Sequence, residues 1–248
     1  MLLHNLIIYF SYVIKKYRAY KHKHTIKRFN KNMVLQHLVL FISFTVLVIT
    51  GFALKFPNVF KVLNTFGIDE HARGLIHRIF ASIMVAGSVY HVYWLLIKKR
   101  GHKEFKQMIP VKNDVTDVVQ SIRYYLNLSK QKARFPRYGY VEKAEYWALI
   151  WGTVVMALTG FILWFPVQAS ALFGSWVTSV STVIHYYEAW LATLAIIVWH
   201  FFFTIFHPHE YPMSMVWLSG DVTEEEAEEN WPEWYEEIQK HPESDDEE

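Results

Sequence analysis

Four apolar runs, each about twenty residues or longer, constrain the fold of this 248-residue chain more than any other feature. They cover roughly residues 33–56, 75–97, 146–165 and 183–206. Only α-helices and closed β-barrels can span a bilayer, and continuous apolar runs lack the alternation of a barrel strand. The sequence therefore predicts an all-α membrane protein, a bundle of four transmembrane helices.

Basic residues are concentrated on one side of the predicted membrane. Eight Lys or Arg residues lie between positions 15 and 31, and eleven lie in the loop 98–137. The two loops on the other side hold only Lys61 and Arg73. Because cytoplasmic loops carry the excess of Lys and Arg, both termini are predicted to be cytoplasmic. We expect a multi-pass protein of a bacterial or archaeal cytoplasmic (inner) membrane.

These patterns divide the chain into five predicted segments. They are a basic cytoplasmic arm that can carry an interfacial helix (1–32), a first transmembrane hairpin (33–97), a cytoplasmic loop with an amphipathic helix (98–142), a second transmembrane hairpin (143–213) and an acidic cytoplasmic tail (214–248). In the loop, apolar residues recur at helical spacing from Val115 to Leu126, which is typical of a helix on a membrane surface. In the tail, Trp231 and Trp234 could dock on a partner.

The second hairpin repeats the first at an offset of 109 residues. The coinciding residues are Thr50-Gly51-Phe52 with Thr159-Gly160-Phe161, Leu54 with Leu163, Phe56-Pro57 with Phe165-Pro166, and His91 with His200. His77 falls one residue away from His185, and His37 falls on Tyr146. Since both hairpins run in the same direction, the pattern predicts a parallel repeat with a pseudo-twofold axis along the membrane normal.

Two pairs of histidines lie within the repeated hairpins. His77 and His91 are separated by a step of about 21 Å along a helix, and His185 and His200 by about 22 Å. An ionisable side chain is costly in hydrocarbon unless it has a function there. Haem iron explains such a pattern best, with two centres stacked across a hydrocarbon core of about 30 Å.

The absence of cysteine restricts how haem can be held. It excludes disulfides, Cys-ligated iron–sulfur clusters and thioether-attached haem, so any haem must be bound non-covalently, as b-type haem. At the outer level the pseudo-twofold axis pairs His77 with His185. The inner level offers His37, His91 and His200 for two axial positions, and symmetry favours the last two. The surplus histidine could ligate a third haem, contact a quinone or hydrogen-bond a propionate.

Other polar residues near these levels have two interpretations each. Arg73 and Arg78 could pair with the propionates of the outer haem, since Arg matches carboxylates bidentately, or could be interfacial anchors. Glu145 and Tyr146 are candidates for a quinone-side proton group, or ordinary interfacial residues. Glu188 could carry protons or orient His185 through a hydrogen bond, or could reach water at the outer interface.

Several short motifs resemble a known family. They are Gln36-His37, Thr50-Gly51, Arg73-Gly74-Leu75-Ile76-His77, and His185 with His200. The chain resembles the diheme cytochrome b subunits of respiratory formate dehydrogenases and nickel–iron hydrogenases, within the bacterial four-helix cytochrome b superfamily. The resemblance implies one haem between His77 and His185 and another between His37 and His200. His91 is additional to that pattern, and the span-four histidines are one residue further apart than the resemblance implies.

Resemblance and histidine levels together predict a membrane-bound b-type cytochrome with two haems. It would pass electrons between a quinone pool near the inner haem and a redox partner at the outer face, as a subunit of a quinone-linked oxidoreductase complex. The resemblance indicates a multihaem cytochrome c or an iron–sulfur subunit as that partner, and no nucleic acid is expected. The alternatives are a haem-free proton or metal transporter that uses the membrane histidines, and a purely structural membrane anchor.

Overall fold

The computed structural model describes residues 1–20 and 22–240, and the predicted acidic tail beyond residue 240 lies outside the described residues. The elements in chain order are α1 (Leu2–Tyr20), β1 (Thr25–Lys27), α2 (Lys31–Lys55), α3 (Val62–Thr65), α4 (Glu70–Ile97), α5 (Lys99–Met108), α6 (Lys112–Tyr125), α7 (Tyr140–Trp164), α8 (Pro166–Phe173), α9 (Trp176–Leu194), two π-helical segments (Ala195–His200 and Phe202–Phe206), α10 (Val216–Ser219), β2 (Asp221–Thr223), α11 (Glu224–Asn230) and α12 (Pro232–Lys240). The all-α prediction is confirmed, with one short pair of strands added.

Four helices are long and apolar enough to cross a membrane: α2, α4, α7, and α9 with its π-helical continuation to Phe206. The four predicted spans are therefore confirmed. All four helices begin earlier than their apolar runs, α2 by two residues at Lys31 and the others by five to seven, at Glu70, Tyr140 and Trp176. Hydrophobicity marks the part of a helix suited to hydrocarbon, whereas backbone hydrogen bonding carries the helix further into polar sequence.

Proline ends the first and third spans in the same way. Helix α2 ends at Lys55, two residues before Pro57, and α7 ends at Trp164, two residues before Pro166. Proline lacks the backbone N–H that a helix interior needs, but fits at the first position of a new helix. Accordingly, Pro166 opens α8.

The fourth span departs from regular α-helical geometry in its second half. After Leu194 the backbone widens into the two π-helical segments. A π-bulge accommodates one extra residue within a continuous helix, and such bulges are frequent at functional sites. The first π-segment begins after His185 and ends at His200, so it accounts for the fifteen-residue spacing of these histidines, where His77 and His91 are fourteen apart.

The described chain forms two compact units. One unit comprises residues 35–93 and 148–197, which are mostly transmembrane helix. Many of its large apolar side chains are exposed, as lipid-facing side chains are expected to be. Phe52 packs on Trp190 within this unit, with ring centroids 4.6 Å apart.

The other unit comprises the described residues within 1–34, 94–147 and 198–240. This unit brings together the basic arm and the tail, which were predicted as separate segments. Strand β1 of the arm pairs antiparallel with β2 of the tail, with Ile26 opposite Val222. Between the strands' ends, Gly220 adopts a φ of 80°, and its carbonyl oxygen accepts hydrogen bonds from the backbone N–H groups of Arg28 and Phe29. A Cβ at Gly220 would collide with the carbonyl oxygen of Phe29, so glycine is required there.

Two arginines in this unit extend the repeat beyond the spans. Arg28 and Arg137 are 109 residues apart, each is 3% exposed, and each donates from Nη2 to the backbone carbonyl oxygen of the other. A reciprocal contact of this kind is what a twofold axis produces. The offset found in the spans therefore also relates the segments that lead into them.

The tail tryptophans pack inside the chain. The guanidinium of Arg28 lies 3.5 Å from the ring centroid of Trp231 and 5.1 Å from that of Trp234, which is 2% exposed. Trp231 also donates from its ring N–H to Glu142 at 2.9 Å. The expectation that these tryptophans dock on a partner is wrong for Trp234, because a cation–π contact and burial in its own chain occupy that ring.

The amphipathic helix predicted in the loop is present as α6. Its polar face is anchored, since the carboxylate of Asp114 accepts from the backbone N–H of Val111 at 2.6 Å and pairs with Lys143 at 2.7 Å. Its apolar face is open, with Val115 67% and Ile122 53% exposed. That this face lies on a membrane stays a prediction.

Candidate haem-ligand site

The two outer histidines are held by the repeated Thr-Gly pair. Thr50 Oγ1 lies 2.9 Å from His77 Nδ1, and Thr159 Oγ1 lies 2.9 Å from His185 Nδ1. In each hairpin the threonine belongs to the first helix and the histidine to the second. The two copies are alike in both the atoms and the distance that join them.

Hydrogen-bond accounting fixes the tautomer of both rings. The Thr50 hydroxyl donates to the Val46 carbonyl oxygen at 2.7 Å, so it can only accept from His77. The Thr159 hydroxyl likewise donates to the Val155 carbonyl oxygen at 2.7 Å, so it can only accept from His185. Nδ1 of each imidazole therefore carries the proton and Nε2 carries the lone pair, which is the form in which a neutral histidine ligates a metal.

The glycine that follows each threonine makes room for the ring. A Cβ placed at Gly51 would lie 3.2 Å from Cε1 of His77, and one at Gly160 would lie 3.4 Å from Cε1 of His185. The first contact is tighter than side chains normally allow, and the second is at the edge of ordinary contact. The repeated Thr-Gly pair thus supplies one hydrogen-bond acceptor and one gap beside each imidazole.

The two outer rings stand at the separation that one metal ion requires. Their centroids are 6.4 Å apart, within the same compact unit. Metal–imidazole bonds are about 2 Å long, so two imidazoles that ligate one ion from opposite sides have ring centres about 6 Å apart. The donor set, its tautomers and its spacing fit a bis-histidine haem.

The inner-level histidines of spans two and four are anchored through Nδ1, as the outer histidines are. His91 Nδ1 lies 2.6 Å from Gln36 Oε1, and His200 Nδ1 lies 3.0 Å from Glu145 Oε2. Both contacts join residues 55 positions apart, and Gln36 and Glu145 are themselves 109 residues apart. All four histidines of spans two and four are therefore held through Nδ1 by the preceding span of their own hairpin.

The other residues predicted at the inner level lie on α2 and α7. His37 is half-buried on α2, next to Gln36, and Tyr146 is half-buried on α7, next to Glu145. The ring of Tyr146 packs edge-on against Trp147, with centroids 5.9 Å apart. The assignment of Glu145 and Tyr146 to a quinone side stays a prediction, and Glu145 has the additional contact to His200.

Arg73 is buried, and N–H groups of its guanidinium donate hydrogen bonds within the protein. Its guanidinium donates to the carbonyl oxygens of Ala53 and Asp69, each at 3.2 Å, and so fastens the end of α2 to the start of α4. Arg78 is exposed, and its guanidinium lies 5.6 Å from the ring centroid of Trp164. Pairing of either arginine with a propionate stays a prediction.

Glu188 does not perform the orienting function considered for it. The partner of His185 Nδ1 is Thr159, whereas a Cβ at Gly152 would lie 2.9 Å from Glu188 Oε1, which places this carboxylate against the backbone of α7. Three of the four residues that hold the histidines, Thr50, Thr159 and Gln36, were not predicted as site residues. The signal that could have found Gln36 is its position 109 residues before Glu145, as for the Thr-Gly pairs.

Replacing Thr50 with valine tests the assigned tautomer. Valine has nearly the same shape but cannot accept the Nδ1–H, so we expect haem affinity at this site to fall about 10- to 100-fold, as for other lost ligand-orienting hydrogen bonds. Thr50→Ser keeps the hydroxyl and serves as the control. Haem retention during purification measures the effect. Equal retention by the valine variant, the serine variant and the parent chain would contradict the assignment.

Bare-metal binding has less support than haem. Across residues 1–20 and 22–240, no three His, Cys, Asp or Glu side chains are grouped so that they could hold a metal ion. Protein sites for a bare transition metal take three or four side-chain ligands, whereas b-type haem iron needs only axial ones. The paired imidazoles therefore match haem in number as well as in geometry.

Comparison with known proteins gives the same result. The sequence profile of the prokaryotic cytochrome b561 family matches residues 4–111 and 28–215. The cytochrome b556(fdo) subunit of formate dehydrogenase from Escherichia coli K12 is 23% identical over 222 residues, covering 89% of this chain and 96% of the relative. The cytochrome b556(Fdn) subunit of the nitrate-inducible formate dehydrogenase of the same strain is 24% identical over 211 residues, covering 82% and 87%.

The family match extends over all four spans and over every histidine that the structure anchors through Nδ1. The names of family and relatives agree with a membrane protein that holds haem without covalent attachment, which is what a chain without cysteine requires. The chain therefore belongs to the prokaryotic cytochrome b561 family and is a multi-pass membrane cytochrome that holds b-type haem and works in electron transfer.

Proposed function

We propose that this chain binds two b-type haems and carries electrons across the membrane within a quinone-linked oxidoreductase complex. The observation that carries the proposal is the pair His77 and His185, whose ring centroids are 6.4 Å apart and whose Nδ1 atoms both donate to threonine. These two residues would ligate the outer haem. For the inner haem, the sequence predicts His200 together with His37 or His91.

The protein's contribution is to hold the ligands ready. Haem, when bound, supplies a one-electron centre whose potential depends on axial ligands, hydrogen bonding and burial. Thr50 and Thr159 keep the lone pair of each outer imidazole on Nε2 and limit rotation of the ring. Gly51 and Gly160 leave the space that each ring occupies. These four residues would therefore act on the potential through the axial ligands, by orienting the imidazoles and by hydrogen-bonding to them.

The partner and the quinone are inferred from sequence and relatives. Both reported relatives are named as formate dehydrogenase subunits, so we propose that this chain also serves an oxidoreductase complex. The redox partner would be a multihaem cytochrome c or an iron–sulfur subunit at the outer face. Quinone would react near Glu145 and Tyr146, on the cytoplasmic side that the basic loops predict. Each charge crossing would be coupled to the membrane potential, at about 2.3 kcal/mol per 100 mV.

The test is a reduced-minus-oxidised absorption spectrum of the purified chain, combined with the ratio of haem to polypeptide. We expect b-type bands and two haems per chain. In a second experiment the reduced protein is placed in vesicles that contain a quinone. We expect the quinone to reoxidise the haems. A spectrum without b-type bands, from protein expressed with haem available, would refute the proposal and leave the transporter and anchor functions.

A further inference from the structure

Glu188 places a carboxylate in the middle of a membrane span. A Cβ at Gly152 would lie 2.9 Å from Glu188 Oε1, so this oxygen stands directly beside the glycine. Gly152 is twelve residues, or about 18 Å, from either end of α7, which is the centre of the span. Because Gly152 is buried, the carboxylate points into the contact between α7 and α9.

The central parts of the four spans hold no other ionisable side chain. Residues 38–54, 79–89, 148–164 and 189–197 contain no Asp, Glu, Lys, Arg, His or Tyr. The side chain of Glu188 forms no salt bridge and no hydrogen bond among the residues that the structure describes. A carboxylate in hydrocarbon is costly to ionise unless it is paired, so one without a cation indicates a functional residue.

The nearest groups that can titrate or carry charge in this unit lie at the predicted outer ends of the spans. They are Lys55, His77, Arg78, His185, Tyr186 and Tyr187. Lys55 Nζ lies 4.9 Å from the ring centroid of Tyr186, in a cation–π contact. The guanidinium of Arg78 is exposed and lies beside Trp164. Both cations are therefore engaged elsewhere, and neither pairs with Glu188.

The repeat indicates that the scaffold does not require this carboxylate. Glu188 falls on Ile79 at the offset of 109, and on Phe80 at the offset of 108 that relates His185 to His77. Gly152 falls on Ser43, so the first hairpin has neither the acid nor the gap beside it. A residue present in one of two otherwise matching hairpins is not required by the packing that they share, and indicates a role of the second hairpin alone.

The carboxylate is close enough to the proposed outer haem to interact with its charge. Gly160, which stands beside the ring of His185, is eight residues from Gly152, so the carboxylate lies about 12 Å from that ring along α7. These residues belong to one compact unit. At an effective dielectric constant of about 20, two unit charges that far apart change each other's equilibria about tenfold.

We propose that Glu188 binds a proton when the haem between His77 and His185 is reduced. This inference rests on the proposed function, since it presupposes that haem. One electron, supplied by quinol or by the redox partner, enters the haem iron, and one proton from water joins the carboxylate, which becomes a carboxylic acid. Like charges disfavour each other, so the added electron favours the neutral form of Glu188. The net charge inside the membrane then stays the same, and reoxidation releases the proton.

Glu188→Gln tests the proposal in redox titrations of the purified protein at a series of pH values. Glutamine keeps the shape but cannot take up the proton. From acidic to alkaline pH, we expect the outer haem of the parent chain to lose about tenfold in its reduction equilibrium constant, or about 59 mV in midpoint potential. The variant is expected to keep the parent's acidic value at every pH. The outer haem is identified as the one lost in His77→Ala.

Glu70→Gln is the matched control. Glu70 lies seven residues before His77 on α4, about 10.5 Å along the helix, but is exposed. Water and salt screen an exposed carboxylate, so we expect this variant to keep the pH dependence of the parent. The inference would be overturned by a parent potential that does not change with pH, by an unaltered dependence in Glu188→Gln, or by its loss in Glu70→Gln.

Infrared difference spectroscopy detects the proton directly. The reduced-minus-oxidised spectrum of the parent chain is expected to gain the C=O stretching band of a protonated carboxyl group, and Glu188→Gln is expected to lack it. The same band in the variant, or no such band in the parent, would refute the assignment to Glu188. Failure of the proposed function is distinguishable, because the parent chain would then show no b-type bands.

Discussion

His77→Ala and His185→Ala are each expected to remove one haem per chain while leaving the four spans inserted. Both rings would ligate the same iron, so loss of either should give the same product. Their half-buried imidazoles are replaced by a small apolar side chain that a membrane helix accommodates well. Haem content and the electron paramagnetic resonance spectrum of the purified variants measure the loss.

His71→Ala provides the control for these two variants. His71 lies on the same helix as His77, six residues earlier, and is exposed. We expect this variant to retain both haems and the parent spectrum. The outer-haem assignment would be wrong if His77→Ala retained two haems, or if the His77 and His185 variants lost spectroscopically different centres.

Arg28→Ala is expected to release the tail from the arm and loop. The guanidinium is 3% exposed, lies against Trp231, donates to the Arg137 carbonyl oxygen at 2.6 Å and approaches Glu142 at 3.4 Å. Burial lowers the pKa of Arg28 to about 10, an effect that Glu142 opposes, so it remains charged at neutral pH. Breaking a buried charge cluster by removing one partner typically costs about 3–5 kcal/mol.

The free energy of opening of α11 and α12, from amide hydrogen exchange in detergent, measures this effect. Lys23→Ala is the control, because Lys23 forms an exposed ion pair with Glu225 at 2.6 Å between the same two segments. We expect no measurable change from it, since water and salt screen such pairs. Equal exchange rates in Arg28→Ala and the parent chain would mean that the buried cation does not hold the tail.

Much of the histidine site could be predicted from sequence, but its supporting residues could not. His77, His91, His185 and His200 stand out because imidazoles in apolar runs are conspicuous. Their partners are not conspicuous, since Thr50, Thr159 and Gln36 are ordinary residues for a membrane helix. Which oxygen meets Nδ1 depends on how two helices face each other, and residues 55 positions apart carry no local sign of that contact.

The extra residue between His185 and His200 is a second example. The sequence showed the wider spacing but offered no account of it. The structure has a π-helical segment that begins after His185 and ends at His200, so the insertion is accommodated in the backbone hydrogen bonding. Helical arithmetic assumes a constant number of residues per turn, and cannot anticipate where that number changes.

The sequence by itself determined the four spans and the repeat, because these depend on run length and periodicity. The orientation and the histidines as haem ligands stay predictions, made from local composition. Only the tertiary structure decided that the basic arm, the loop and the tail form one compact unit, and that Trp231 and Trp234 enclose Arg28. It alone also gave each histidine its Nδ1 partner. These outcomes depend on contacts between side chains far apart in the chain, where geometry selects one partner among many with the same chemistry.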